Sequence, residues 1–319
     1  MTPAAAALAG AAADALAACE AHLRAVVGDG LPQVAGPGAD TLDAGGKRLR
    51  PLLVLCCAGR VADPTPQLIR AASAVELVHM ATLVHDDLLD GATMRRGRRT
   101  VASALGAEAA VQVGDYLFAR AFEDLAAAGE PEAVRVLASS ALDLSLGELA
   151  QGRAAYDLAL TERAYADRVR RKTASLFAAA CRLGALVGGI PAPAHDRLAR
   201  FGDEVGMAFQ IFDDILDLTG DPAATGKRRG ADLRDGTVTL PVILALRGEP
   251  ELADAIRAAT DDDAIEALCD RLAANTGCAA ARQRALDHVA RAREAVEGLE
   301  GPDVPALLAI ADGVVDRYS

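Results

Sequence analysis

The chain has 319 residues, with 33 Lys and Arg against 45 Asp and Glu for a formal charge of −12. That acidity, with no nucleic-acid-binding motif present, argues against a polyanion partner, and an apolar content of 52% excludes disorder as the dominant state. Aromatic residues supply only 3% and Trp is absent, so the core must come from Ala, Leu and Val, which favours closely packed helices over a β-sandwich.

Met1 to Cys19 is Ala-rich, but no basic residue precedes the apolar run and Asp14 interrupts it, so it reads as neither a signal peptide nor a membrane anchor. No segment reaches the roughly 18 uncharged apolar residues of a spanning helix. Prolines punctuate the rest of the chain. Pro64 and Pro66 open an interval that runs to Pro131, a second runs to Pro191 and Pro193, and a third to Pro222. Within these intervals apolar residues recur at helical spacing, as in Leu68, Ala72, Val75, His79 and Leu83. Strand-like Val, Ile and Thr runs are missing. The pattern predicts an all-α protein with several helices of five or more turns. Its loops fall at Gly36 to Gly46, Gly91 to Gly97, Gly189 to Pro193 and Gly220 to Gly236. No linker divides the chain, so one domain over residues 1–319 is expected. Six cysteines (Cys19, Cys56, Cys57, Cys181, Cys269, Cys278) form no C-x-x-C pair and sit mostly in Ala/Leu-rich stretches, which reads as reduced thiols and a cytoplasmic protein.

One device occurs twice. His85-Asp86-Asp87-Leu88-Leu89-Asp90 is echoed by Phe212-Asp213-Asp214-Ile215-Leu216-Asp217. On a helix, Asp86 and Asp90 lie one turn apart, with Cβ atoms roughly 5–6 Å from each other, and Asp87 lies about 100° around from them. Like charges so placed weaken a helix and call for cations. Carboxylates without His or Cys neighbours suit Mg²⁺, which takes one or two carboxylates and fills its shell with phosphate oxygens. The bland alternative, two acidic helix ends facing water, would suit a single motif. Here each triplet adjoins apolar residues (Leu83, Val84; Phe209, Ile211, Phe212), and basic residues follow both: Arg95, Arg96, Arg98 and Arg99, then Lys227, Arg228 and Arg229. Carboxylates, metal and basic groups are the ingredients of a diphosphate site.

Along most of its length the chain resembles the trans-isoprenyl diphosphate synthases, the polyprenyl synthetase family. The likeness rests on Gly45-Gly46-Lys47-Arg48-Leu49-Arg50-Pro51, Glu76-Leu77-Val78-His79, the first Asp motif with Arg95-Arg96-Gly97, and Gly114-Asp115-Tyr116. It continues through Gly147-Glu148 with Gln151, Lys172-Thr173-Ala174-Ser175, Phe209-Gln210 with the second Asp motif, and finally Gly226-Lys227, Gly230, Asp232-Leu233, Gly236 and Thr239-Leu240-Pro241. The resemblance implies a bundle of about ten or more helices around a central apolar cavity. It implies a Mg²⁺-dependent prenyltransferase that condenses isopentenyl diphosphate with an allylic diphosphate (geranyl, farnesyl or geranylgeranyl), with about three ions per active site, and it implies a homodimer.

By the same resemblance, Asp86, Asp87, Asp90, Asp213, Asp214 and Asp217 would bind the metal. Arg95, Lys172, Gln210 and Lys227 would contact the allylic diphosphate, and Lys47, Arg50, His79 and Arg96 that of isopentenyl diphosphate. Thr173 and Gln210 would turn oxygen dipoles toward a carbocation. The helical wheel places His79 and Thr82 beneath Asp86, and the family adds that Ala81, five residues before the motif, gates chain length. Small residues at Ala81 and Thr82, and the short spacing of the first motif, favour a medium or long all-trans polyprenyl product. The rival readings are a short-chain farnesyl or geranylgeranyl diphosphate synthase and a class I terpene cyclase, whose second metal motif is an Asn/Ser/Glu pattern that this chain lacks. A non-catalytic partner subunit would have lost its Asp motifs, and both stand here. His85 takes no role in this reading, and His22, His195 and His288 show no ligand spacing.

Overall fold

The computed structural model describes residues 3–220 and 229–316. The elements run α1 (Pro3–Gly28), α2 (Pro32–Asp43), α3 (Leu49–Cys57), α4 (Pro66–Leu89), β1 (Met94–Arg95), β2 (Arg98–Arg99), α5 (Val101–Leu105), α6 (Ala107–Ala126), α7 (Pro131–Arg153) and α8 (Glu162–Val169). A π turn (Arg170–Ala174) leads to α9 (Ser175–Val187), then α10 (His195–Thr219), α11 (Ala231–Arg234), α12 (Leu240–Gly248), α13 (Leu252–Ala258), α14 (Asp262–Ala273), α15 (Thr276–Val296) and α16 (Val304–Asp316). The all-α expectation holds. The chain clusters into two compact units, Met1–Ala141 with Leu176–Ala199 and Val296–Leu307, and Leu142–Ser175 with Arg200–Ala295 and Leu308–Ser319.

In the first unit α4 is the central helix. The Thr65 side chain accepts from the Leu68 amide (3.2 Å) and Pro66 occupies the first turn, a standard helix start. Ala71, Ala72, Val75, Leu77, Val78 and Ala81 are all inaccessible to solvent, so α4 is covered nearly all round, by α1, α3 and α6 among others. Among the described residues α4 is the one helix long and apolar enough to span a membrane. Yet 67% of its most apolar window is buried within the protein, as in a core helix. All six cysteines are free and buried.

Two loop expectations give way. Gly36 to Gly46 reads as irregular in sequence, but α2 runs through Gly36, Pro37 and Gly38 because Ala35, Gly38 and Leu42 share a buried face. Tertiary burial there outweighs poor local propensity. Between Gly91 and Gly97 the chain forms a two-residue ladder pairing Met94 with Arg99 and Arg95 with Arg98. Its turn residues Arg96 (φ 49°) and Gly97 (φ 77°) are both left-handed, as a type I′ hairpin turn requires.

The second unit is built on the later part of α7, α8, the π turn, most of α10 and the short helices α11 to α15. Tyr165, Phe201 and Phe212 are its largest fully buried side chains.

Candidate active site

The first Asp motif closes α4. The Asp90 amide donates to the Asp86 carbonyl (2.8 Å), the Ala92 amide to the Asp87 carbonyl (2.9 Å), and Gly91 takes the left-handed position that ends the helix. Asp86 is half-buried and Asp90 exposed, whereas Asp87 is buried. The Arg95 guanidinium donates from Nε to Asp87 Oδ1 (2.8 Å), with Nη2 2.7 Å from the same oxygen. Asp87, read as a metal ligand, and Arg95, read as a diphosphate contact, are paired with each other, because the 100° helical step turns Asp87 inward toward the hairpin.

A basic cluster occupies the same unit. Arg48, left-handed at φ 48° and 7% exposed, donates to Glu76 Oε1 (2.8 Å), Glu20 Oε1 (3.1 Å) and the Leu42 carbonyl (2.8 Å). Sequence reading gave Arg48 and Glu76 no role, although both stand inside matched motifs. The Arg50 guanidinium lies 4.5 Å from the centre of the Phe177 ring, and its Nε is buried without a hydrogen-bond partner. Burial lowers the Arg50 pKa to about 10. A Cβ on Gly46 would come within 2.9 Å of Arg96 Nη1 and 3.3 Å of Arg48 Nη1, so only glycine leaves both guanidinium groups their places. His79 is driven well below the ordinary imidazole value, first by burial and then by Arg50, Arg96, Arg95 and Arg48. Lys47 is exposed at the edge. A cavity of about 440 Å³ beside the hairpin is lined by Asp87, Arg95, Arg96, Arg98 and Arg99, with Leu83 and Val84. Four arginines thus line this cavity, with Asp40 and Asp87 as its acidic members. Ala81 is wholly buried, and half-buried Thr82 donates to the His79 carbonyl (2.8 Å).

In the second unit Lys172 and Thr173 ride on the π turn, a distortion that recurs at functional sites. Lys172 forms an ion pair with Glu148 of α7. The Thr173 hydroxyl donates to Gln210 Oε1 (2.8 Å), Gln210 Nε2 donates to Asp214 Oδ1 (2.9 Å), and the Tyr165 hydroxyl donates to Asp214 Oδ2 (2.5 Å). Asp214 is 3% exposed. Both its oxygens accept from α8 and α10 side chains, while Asp213 beside it is exposed. Asp217 accepts from the Ala231 and Asp232 amides (3.1 Å each), capping α11. Lys227 and Arg228 lie outside the described residues.

Burial first, with the charge of Asp213 adding to it, raises Asp214 to about 7 and lifts Asp217 above the usual carboxylate range. Asp232 is pushed well up, by burial and then by Asp214, Asp217 and Asp213. The buried Arg168 opposes these shifts only in part. Carboxylates that raise one another's pKa suit a hard dication. Among the described residues no three His, Cys, Asp or Glu side chains form a group that could hold a metal ion by themselves. His22, His195 and His288 have partners of their own: Asp124 (2.8 Å), the Ile190 carbonyl (2.7 Å) and Glu204 (2.6 Å).

Comparison with known proteins agrees with these features. Residues 32–272 match the polyprenyl synthetase family. The chain is 43% identical to the heptaprenyl diphosphate synthase component 2 of Geobacillus stearothermophilus, over 81% of this chain and 86% of that one. It is 38% identical to the nonaprenyl diphosphate synthase of Mycobacterium tuberculosis, over 86% and 84%. Among solved structures, a decaprenyl diphosphate synthase from Rhodobacter capsulatus superposes with a TM-score of 0.89 at 36% identity, covering 98% of each chain. A polyprenyl synthase from Caulobacter crescentus, solved with calcium and isoprenyl diphosphate, gives 0.91 at 32% identity, covering 98% and 97%. With its helices, its two Asp motifs and its guanidinium pocket in place, the chain belongs to the polyprenyl synthetase family.

Proposed function

We propose that this prenyltransferase condenses isopentenyl diphosphate with an allylic diphosphate to a medium- or long-chain all-trans polyprenyl diphosphate. The observation that carries this reading is the guanidinium cluster around His79. Burial first, and then Arg50, Arg96, Arg95 and Arg48, depress that imidazole, and the buried Arg50 Nε has no hydrogen-bond partner. Such a pocket takes a diphosphate, and Lys47, Arg50, His79 and Arg96 would hold that of isopentenyl diphosphate. Lys172 and Gln210 would contact the allylic diphosphate, with Lys227 as a further contact.

Asp86, Asp90 and Asp213 are the foremost metal ligands in this reading, with Asp87, Asp214 and Asp217 beside them, each of which also holds a neighbouring group in place. Bound Mg²⁺, about three ions per site, would neutralise negative charge on the departing diphosphate. Lys172 does the same from the protein side, and its pairing with Glu148 aims the ammonium group. The Thr173 and Gln210 oxygens stabilise the allylic cation. The double bond of isopentenyl diphosphate then attacks C1, and loss of a proton, with the released diphosphate as the base, restores an allylic diphosphate one unit longer. Apolar residues keep water from the cation. Ala81, wholly buried and small, leaves room for a long chain, and relatives named for seven- to ten-unit products support that length. Incubating purified protein with Mg²⁺, labelled isopentenyl diphosphate and farnesyl diphosphate, and resolving products by chain length, tests the reading; a product no longer than geranylgeranyl diphosphate would refute the chain-length assignment.

The chain is proposed to act in the cytoplasm as a homodimer. Leu142, Leu146 and Leu149 of α7, at 61%, 38% and 65% exposure, form an apolar stripe at i, i+4, i+7 that a second subunit would cover. Two relatives are named as component 2 of a heptaprenyl diphosphate synthase, which favours one alternative, a different partner subunit. Light scattering together with activity of the protein alone separates the two: a monomer without activity points to a missing subunit.

A further inference from the structure

The two ends of the Gln210 amide are nearly isosteric, so neighbours decide which one faces the substrate. Asp214, one turn further along α10, supplies that decision. Asp214 Oδ1 accepts from the amide NH₂ (2.9 Å) while its other oxygen accepts from Tyr165, which leaves the Gln210 carbonyl oxygen for Thr173 (2.8 Å). The carboxylate can do this only while its own plane is fixed. Its second oxygen is anchored by the Tyr165 hydroxyl at 2.5 Å. Tyr165 is 1% exposed. Its ring is clamped by the Arg168 guanidinium, whose carbon lies 5.4 Å from the ring centre and whose Nη2 donates to the Val238 carbonyl (2.8 Å).

We propose that Tyr165 is a positioning residue for the ionisation step, acting through Asp214 to hold the Gln210 carbonyl oxygen toward the nascent allylic cation. The proposal rests on the role of Gln210 in the proposed function. Tyr165 itself touches no substrate. Its contribution lies in the transition state, where the orientation of a dipole matters most, rather than in ground-state binding.

The test is a double-mutant cycle on the full-length protein with Mg²⁺, isopentenyl diphosphate and farnesyl diphosphate. Tyr165→Phe keeps the ring and removes only the hydroxyl. Its expected effect is a kcat about tenfold lower, with both KM values and the calorimetric Kd of farnesyl thiodiphosphate within about twofold of the parent. In a Gln210→Leu background, where no amide remains to be turned, the same change should alter kcat less than about twofold. Equal losses in the two backgrounds, or a raised Kd with kcat unchanged, would overturn the proposal and leave the function standing. Failure of the parent protein to condense the substrates would overturn both. Should Tyr165→Phe not fold, Asp214→Asn takes its place in the same cycle, with the same two outcomes.

Discussion

Gly147 offers a sharp test of how the π turn that carries Lys172 is placed. A Cβ at this position of α7 would lie 2.5 Å from the Lys172 backbone nitrogen, 2.8 Å from its Cα and 2.9 Å from its Cβ. None of these atoms is the far end of a flexible side chain, so the turn itself must retreat. Ordinary carbon contacts lie at roughly 3.5–4.0 Å, which sets the displacement at about 1 Å. A misplacement of that size at a reacting group costs on the order of 100-fold in rate, or about 2.7 kcal/mol. The strain should also destabilise Gly147→Ala by about 1–3 kcal/mol, lowering Tm by roughly 1.5 °C per kcal/mol for a chain of this size. Gly152→Ala on the same helix is the control, because no atom lies within 4 Å of its added Cβ. It should be neutral or stabilising by about 0.5 kcal/mol. Steady-state kinetics and thermal melts of both variants decide the matter. A Gly147→Ala protein with parental kcat and Tm would show that α7 does not set the position of Lys172.

The two kinds of aspartate should separate experimentally. Asp86→Ala or Asp213→Ala should remove most activity while helical circular dichroism and Tm stay near parental, whereas Asp87→Asn should weaken the Arg95 pair and lower stability by about 1–2 kcal/mol; urea melts beside activity assays show which pattern each follows. Ala81→Phe should shift the product distribution to shorter chains on reversed-phase chromatography, and an unchanged distribution places the gate elsewhere. His79 is held below its ordinary value of 6.5, so the unfolded chain binds more protons than the folded one as the medium acidifies. Stability from this group is therefore intact above about pH 6.5 and falls as pH drops below it. His79→Gln should flatten the slope of urea midpoints between about pH 5.5 and 7.5, and a slope unchanged by the substitution would refute that origin.

The duplicated Asp spacing and its apolar setting are local, which is why Asp86 and Asp213 stand out from the sequence alone. The adjacent Asp87 and Asp214 carry the same letters, and nothing in the spacing says that one of each pair turns inward. Asp87 finds its partner only after a left-handed hairpin brings Arg95 back. Asp214 finds one on a different helix, 49 residues away. Tyr165 belongs to no motif and precedes Lys172 across a π turn that breaks the 3.6-residue period. Arg48 and Glu76 were visible as letters, but their pairing needed α3 and α4 to be packed. Pro37 misled for the opposite reason: a local breaker was overruled by the buried face of α2.

At Arg96 the chain keeps a long cationic side chain in a left-handed conformation that Asn or Gly would adopt with less strain, at a cost of about 1 kcal/mol. A thermostability screen run without substrate would thus reward Arg96→Gly or Arg96→Asn while discarding a guanidinium from the proposed diphosphate site. Engineering for robustness and engineering for turnover pull this one position in opposite directions, so stabilised variants should be selected with diphosphate present.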